Sequence, residues 1–370
     1  MKIEKVSVDG YKNLDSVDIS PSPDVNLILG KNAQGKTNLI ESIWLMTGCR
    51  SFRGTRDKDF IGFEREKAVI DLLYTDSVRT QEISFTAMKG TKEKKITLNG
   101  VPVPLLSRLF GNLLCVCFTP EDLFISKGSP DKRRSFIDLS ASQIKRSFVW
   151  ALNKYENLLA QRNSLIKDIY NGLSDRSMLE IWDTQLAQTG AYISVVRDTY
   201  IRSLGRYATK LYYELAGERE RFEISYRSSI YKDLEGRTDH SGELKDIYYS
   251  RLSENINDDI RAGFTTAGIH RDDLEMTING LPVREFGSQG QQRSAAIVLK
   301  TAQAQMLSED TGEKPVMLFD DVLSELDPER QAFVLENSHG MQVFITACDK
   351  SAVEKDNSVN VINISGGKIV

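Results

Sequence analysis

Two stretches constrain this chain more than any other feature: LILGKNAQGKTNLIESIW at Leu27–Trp44 and VMLFDDVLSELDPER at Val316–Arg330. The first runs from apolar residues through a glycine-bounded loop into an amphipathic segment, and Gly30–Thr37 satisfies G-x-x-x-x-G-K-[ST]. A loop of this kind turns backbone N–H groups, and the positive end of the helix behind it, towards phosphate. Gly30, Lys31, Asn32, Ala33, Gln34, Gly35, Lys36, Thr37 and Asn38 are therefore the expected contacts of a nucleoside triphosphate. Lys36 would reach the β- and γ-phosphates and Thr37 would bind Mg²⁺. A plain glycine turn between strand and helix is the alternative. The second stretch predicts a buried strand ending in two carboxylates, where a parallel sheet presents charge to a ligand at its carboxyl edge. Asp320 would hold Mg²⁺ through water, and Asp321 would orient or deprotonate the attacking water. Both aspartates also suit loop or capping positions. The two stretches lie almost at opposite ends of the chain, so the fold must bring them together.

Composition limits the classes of fold. The 370 residues are enough for two domains, and 40% hydrophobic with 27% charged residues is ordinary for a soluble globular protein. No apolar run approaches the ~20 residues of a membrane span, and MKIEKVSVDG has no signal-peptide core, so a cytoplasmic location without membrane attachment is expected. Cys49, Cys115, Cys117 and Cys348 form neither a C-x-x-C metal pair nor a secreted disulfide framework. Cys115 and Cys117, in LLCVCF, predict one face of a buried strand. A net charge of -4 argues against coating nucleic acid by bulk charge but leaves room for a local basic groove.

The pattern along the chain predicts an α/β head split by a helical insertion: residues 1–125 and 260–370 form the head and 126–259 the arm. Strand texture fills the first part, with Asn99-Gly100 suited to a two-residue hairpin turn. TPEDL (Thr119–Leu123) and SPDKRR (Ser129–Arg134) each place a hydroxyl before proline, which predicts helix starts. Leu152, Tyr155, Leu159, Ile166 and Ile169 stripe one helix, and Leu179, Trp182, Leu186, Ile193 and Val196 the next, with a break at NGLSD. Each would run ~30 residues, or ~45 Å, as a stubby antiparallel hairpin. SSIYKDLEGRTDHSGELKD predicts exposed loop, and DLEMTINGLPV returns to strand with a second Asn-Gly turn. No longer repeat and no low-complexity tract is present.

Ser288-x-Gly290 precedes a long apolar-striped segment in FGSQGQQRSAAIVLKTAQAQML and would offer N–H groups to an anion, although Ser-Gly entries to helices are common caps. Asp327-Pro328 suits a helix N-cap by itself. Taken together, the phosphate loop near the amino terminus and the serine-glycine and aspartate motifs near the carboxyl terminus resemble the heads of DNA-acting ABC-type ATPases of the SMC kind. Within that group the chain resembles the RecF family through GYKNL, GKNAQGKTNLIESIW, SFRG, FTPEDL, KGSPDKRRSFIDLS, GIHRDDL, SQGQQR and LFDDVLSELD, which run almost end to end. The combination of KGSPDKRR, HRDD and SQGQQR is far more specific than a phosphate loop. The resemblance implies an ABC-type ATPase head with an inserted arm, and ATP with Mg²⁺ as cofactors. It also implies a homodimer in which Ser288, Gly290 and Gln291 of one protomer act on ATP held by the other's Lys36 and Thr37, with Asp327 at the seam. The implied partners are DNA at single-strand/double-strand junctions, RecR with RecO, and indirectly RecA. The implied setting is the nucleoid and the implied task is repair at replication gaps.

The chain departs from the wider ABC pattern in two places. No histidine follows QVFIT, where Ala347-Cys348-Asp349 stands, so either Thr346 or a neighbour senses the γ-phosphate or hydrolysis is slow; slow hydrolysis is expected. Glu121 or Asp122 would replace the Q-loop glutamine or merely cap a helix. His270 suits a structural or a nucleotide-linked role equally. Arg53 and Arg271 suit phosphate contacts or ion pairs. DNA contact would come from Lys92, Lys94 and Lys95 beside Lys89, and from Lys132, Arg133 and Arg134 within a cluster that extends to Lys145 and Arg146; a solvated charged face is the alternative. Three other classes compete: a transporter subunit, a non-enzymatic scaffold, and an ABC-fused nuclease. The nuclease would need a metal-binding acidic domain, for which the roughly fifty residues after Asp321 are too few.

Overall fold

The computed structural model describes residues 1–54, 57–91, 93–237, 242–349 and 359–370. The chain divides into two compact units, Met1–Phe124 with Arg293–Val370 and Ile125–Gln292. The first unit is an α/β layer built on a twelve-stranded mixed sheet. Its parallel core runs, in spatial order, Asn360–Ser365, Val25–Leu29, Val343–Ala347, Val316–Asp320 and Cys115–Phe118. The last three of these are buried at every residue, as a parallel strand covered on both faces requires. Cys115 and Cys117 lie there as expected. An antiparallel wing of Lys2–Asp9, Ser16–Ile19, Lys67–Thr75, Thr80–Met88, Lys94–Leu98 and Val101–Pro102 extends the sheet. The Asn99-Gly100 turn has φ of 51° and 75°, both positive, and closes a Leu98-Val101 hairpin as the residue pair predicts.

The second unit packs the helices Pro130–Ile144, Arg146–Tyr170, Leu179–Leu215, Gly242–Glu254 and Ile256–Ala262 with a three-stranded sheet. It ends at Gln292, whereas the sequence pattern returns to the head at 260. Strand Asp273–Ile278 explains the difference, because it pairs along its length with Phe222–Arg227. Arg133 adds to this by donating to both carboxylate oxygens of Asp273 at 2.6 and 2.7 Å. Helix Gln289–Thr311 gives its first turn to this unit and the remainder to the other.

The helical hairpin forms with its break at the predicted place, but its buried stripe is shifted. The buried side chains of Arg146–Tyr170 are Phe148, Ala151, Tyr155, Leu158, Arg162, Leu165 and Ile166, and Leu152 and Leu159 only flank them. Arg162 moves the centre of the stripe. Fully buried, it donates through Nε to Asp183 at 2.5 Å and through Nη1 to Asp259 at 2.6 Å and the Thr265 hydroxyl at 2.8 Å, and an apolar count cannot register an arginine paired in this way. Two further expectations change. TPEDL forms only the 3₁₀ segment Pro120–Phe124, with Asp122 accepting from Thr119 N–H. In the expected loop, Tyr231 and Leu234 are buried, and GELKD belongs to helix Gly242–Glu254. No helix among the described residues is long and apolar enough to cross a membrane.

His270 sits in this unit within a directed chain of hydrogen bonds. The Thr265 carbonyl only accepts, so Nε2 donates to it at 3.0 Å and Nδ1 accepts from the Tyr155 hydroxyl at 3.1 Å. Tyr155 in turn meets Tyr248, whose oxygen accepts from Ile269 N–H. Burial first, then the nearby Arg271 and Arg134, hold the imidazole down at about 4.

Two predictions follow from these networks. Arg162→Met, which leaves two buried carboxylates without their cation, should cost about 3–5 kcal/mol in urea unfolding, while also replacing Asp183 by leucine and Asp259 by asparagine, which can still accept from Thr266, should recover most of the loss. For His270 the folded value lies below the unfolded one, so between about pH 6.5 and 4 the unfolded chain takes up a proton that the folded chain refuses. Stability should fall as pH drops through that window. His270→Gln should flatten that part of the midpoint-against-pH curve, and an unchanged slope would refute the assignment.

Candidate nucleotide-binding site

Strand order answers the problem posed by the two distant stretches. Val343–Ala347 lies between Val25–Leu29 and Val316–Asp320, with Thr346 opposite both Ile28 and Asp320. All three strands are parallel, so the phosphate loop, the end of the central strand and the paired aspartates emerge at one carboxyl edge. Helix Lys36–Leu45 begins directly behind the loop.

The loop has little freedom. A Cβ at Gly30 would come within 2.4 Å of the Ile364 carbonyl oxygen, and Gly35 has φ of 114° with Leu14 beside it. The backbone is held from outside by Asn13, whose Nδ2 donates to Ala33 O at 2.9 Å. Gln34 completes the frame, accepting from Gly366 N–H on its side chain and from Gly367 N–H on its carbonyl. Asn38 donates to Asn13 Oδ1 at 2.6 Å and accepts from Arg53 at 3.2 Å. Arg53 therefore contacts an amide at the rim and is itself exposed.

Lys36 Nζ lies along the loop, donating to Gly30 O at 2.5 Å and Lys31 O at 3.1 Å, with Cys348 Sγ at 3.6 Å. The Cys348 thiol also meets Asn32 Oδ1 at 3.1 Å, so a cysteine occupies the end of the central strand where the wider pattern has histidine. Thr37 Oγ1 donates to Asp320 Oδ1 at 2.9 Å, and Thr346 Oγ1 donates to the same oxygen at 3.0 Å. Burial raises the Asp320 carboxyl above the ordinary carboxylate value; the two hydroxyls oppose the rise and Asp321 adds to it. Asp321 has φ of 53°, a sparsely populated conformation for a residue with a side chain, and its N–H donates to Thr346 Oγ1 at 2.9 Å. Thr346 thus fixes both aspartates. Within the helix, fully buried Glu41 is paired with Lys12 and accepts from Ser51.

The paired hydroxyl and carboxylate oxygens of Thr37 and Asp320 suit a hard divalent cation that draws its remaining ligands from phosphate and water. Among the described residues no group of three or more carboxylate, histidine or cysteine ligands could hold a metal alone. Asp327 caps helix Pro328–Glu336, accepting from Arg330 N–H at 3.0 Å and pairing with the Arg330 guanidinium. Asp122 is bound to Thr119 and to Lys300 at 2.9 Å, which makes it a cap and ion-pair residue.

Ser288 and Gln291, in the other unit, form a reciprocal capping box. Gln291 N–H donates to Ser288 Oγ at 3.2 Å, and Ser288 N–H donates to Gln291 Oε1 at 2.8 Å. Gln291 Nε2 also donates to Glu220, while Ser288 remains exposed beside half-buried Gly290. Arg271 lies over the Phe264 ring at 5.0 Å.

The expected DNA contacts divide. Arg133 is 2% exposed and committed to Asp273 and the Gly128 carbonyl, so it is a structural residue, because the HRDD segment packs against its helix. Arg134 pairs with Asp131 and donates to the Asp272 carbonyl at 2.6 Å for the same reason. Lys95 and Lys132 are exposed, Lys94 is half-buried, and Lys92 lies outside the described residues. Sequence reasoning passed over Asn13 and Gln34's role in anchoring the loop, and named Cys348 at the site only within the segment that stands where a histidine would. Asn13 falls within GYKNL, so a signal for it was present.

Comparison with known proteins agrees with this geometry. Residues 2–369 match the RecF/RecN/SMC N terminal domain family. The DNA replication and repair protein RecF of Halothermothrix orenii is 37% identical over 100% of this chain and 98% of its own length. That of Thermoanaerobacter sp. is 38% identical over 98% of both. Two solved structures of the recombination mediator protein RecF in the RecFOR pathway, one of RecF-ATPrS and one of RecF-ATP, are each 35% identical. Their TM-scores are 0.92 and 0.89, with at least 97% of each chain covered. An SMC head bound to a ScpA domain, at 15% identity and a TM-score of 0.56, shares the fold. On the phosphate loop, the aspartate-ended strand and full-length similarity together, the chain belongs to the RecF family of ABC-type ATPase heads.

Proposed function

We propose that this protein is an ATP-gated, DNA-binding homodimer of recombinational repair, whose slow ATP hydrolysis sets how long it stays on DNA. The observation that carries the reading is the meeting of Lys36, Thr37, Asp320 and Asp321 at one sheet edge, in a chain similar over its full length to RecF-ATP. Loop N–H groups and Lys36 bind the β- and γ-phosphates, the lysine exchanging the Gly30 and Lys31 carbonyls for phosphate oxygens. Thr37 and Asp320 would hold Mg²⁺, which when bound neutralises phosphate charge. Asp321 orients the attacking water and accepts its proton, held in place by Thr346. With Cys348 at the end of the central strand there is no imidazole to polarise the γ-phosphate, which supports slow turnover.

Ser288, Gly290 and Gln291 of one protomer complete the site on the other protomer's ATP, and Asp327 lies at the seam. ATP therefore closes the dimer and hydrolysis reopens it. DNA is bound at single-strand/double-strand junctions through phosphates, independently of sequence and with strong salt dependence. The protein then acts in the cytoplasm with RecR and RecO to promote RecA loading at replication gaps.

Light scattering tests the dimer. Mg-ATP should double the molar mass of the wild type, and Ser288→Arg should bind ATP yet stay monomeric; wild type that binds ATP and never changes mass, even with DNA, overturns the clamp. Asp321→Asn should lower kcat about 10²–10³-fold while keeping the ATP-dependent mass, because it removes a catalytic group and leaves binding intact. Equal turnover in that variant would remove Asp321 from the chemistry.

A further inference from the structure

The outward stripe of helix Arg146–Tyr170 has a composition that packing does not explain. Opposite the buried side chains run Arg146, Trp150, Asn153, Lys154, Asn157, Gln161 and Ser164, which share one face of the helix at about 100° per residue. Trp150 is 65% exposed. Lys154 Nζ stands 5.2 Å from the centroid of its ring, and Lys145 Nζ stands 5.1 Å from that of Tyr192, whose hydroxyl meets Ser147 at 2.9 Å. No acid falls on this stripe before Asp168; Glu156 is about 120° around the helix from Trp150.

Isolated surface tryptophans are common, and one alone would mean nothing. Here the indole stands among three cations and three amide side chains, with no aliphatic residue larger than alanine on the stripe to enter a lipid layer or an apolar protein interface. A stripe that carries positive charge and no acid before Asp168 complements a polyanion. An exposed ring flanked by cations is the arrangement on which unpaired bases stack, whereas a duplex keeps its bases stacked on one another. From Arg146 to Ser164 the helix rises ~27 Å, room for several nucleotides.

We propose that this face is a contact site for single-stranded DNA, in which Trp150 stacks on a base and Lys145, Arg146 and Lys154 neutralise phosphates. The proposal rests on the DNA-binding reading above and assigns the unpaired arm of the junction to this helix. Trp44 is buried and Trp182 half-buried, so Trp150 is the most accessible of the three tryptophans to a stacking base, and quenching that Trp150→Ala abolishes is assigned to it.

The test uses the full-length protein with Mg-ATP, an oligo(dT) strand and a blunt duplex of equal length. Oligo(dT) should quench the wild-type fluorescence. Trp150→Ala should lose the quenching and bind oligo(dT) about tenfold more weakly, with an unchanged salt slope and unchanged duplex affinity, and Trp150→Phe should recover part of the loss. Lys154→Gln should reduce the salt slope by about one. Wild-type strength on both DNAs in Trp150→Ala overturns the site while the DNA-binding reading stands. Wild-type protein that binds neither DNA overturns that reading and the site with it. Equal weakening on strand and duplex overturns base stacking. A blue shift on anionic phospholipid vesicles without a response to DNA, or loss of the ATP-dependent dimer in Trp150→Ala, gives the face to lipid or to a second copy and overturns the proposal.

Discussion

The parallel pairing of Val25–Leu29 with Val343–Ala347, and of that strand with Val316–Asp320, is the constraint on which the site depends. It places the Thr346 hydroxyl against Asp320 and beneath the Asp321 N–H, and brings Thr37 to the same carboxylate oxygen. A register slip of one residue would turn Thr346 to the opposite face and leave Asp320 buried without one of its hydroxyls. Parallel neighbours need crossover connections, so intervening chain is already part of such a sheet. The entropic cost of lengthening a connection grows only slowly with its length, which lets an entire second unit stand between the phosphate loop and its aspartates.

That second unit is organised by buried charge as much as by apolar packing. Arg133, Arg162 and Arg197 are almost wholly buried, and each meets an aspartate: Asp273, Asp183 with Asp259, and Asp138. Desolvation offsets much of what such pairs gain, but losing one partner strands the other, so an arrangement of the helices that separates a pair is penalised. They also connect residues far apart in sequence, which is why the HRDD segment belongs with the insertion. Asp272 accepts from Ser229 N–H and from the Tyr226 hydroxyl, and His270 closes the Tyr155-Tyr248 chain.

Legibility followed the range of the interactions. The phosphate loop, the paired aspartates, both Asn-Gly turns and the helical hairpin rest on neighbours within a few residues, and each is present where the residues predict it. The buried phase of helix Arg146–Tyr170 depends on Arg162 finding Asp183 and Asp259, and no periodicity count contains those partners. Arg133 and Arg134 looked like free cations because their carboxylate and carbonyl partners at Asp272 and Asp273 lie some 140 residues away.

By itself, then, the sequence determined what short-range physics specifies: a glycine loop able to wrap phosphate, a strand apolar enough to be buried on both faces, and a hairpin of amphipathic helices. It also carried the motifs that place the chain in the RecF family. The tertiary structure decided which charges are spent inside the fold, where the insertion ends, and that Asn13, Thr346 and Cys348 frame the site. Those outcomes depend on which distant group reaches a buried donor or acceptor, and only the folded chain brings such partners together.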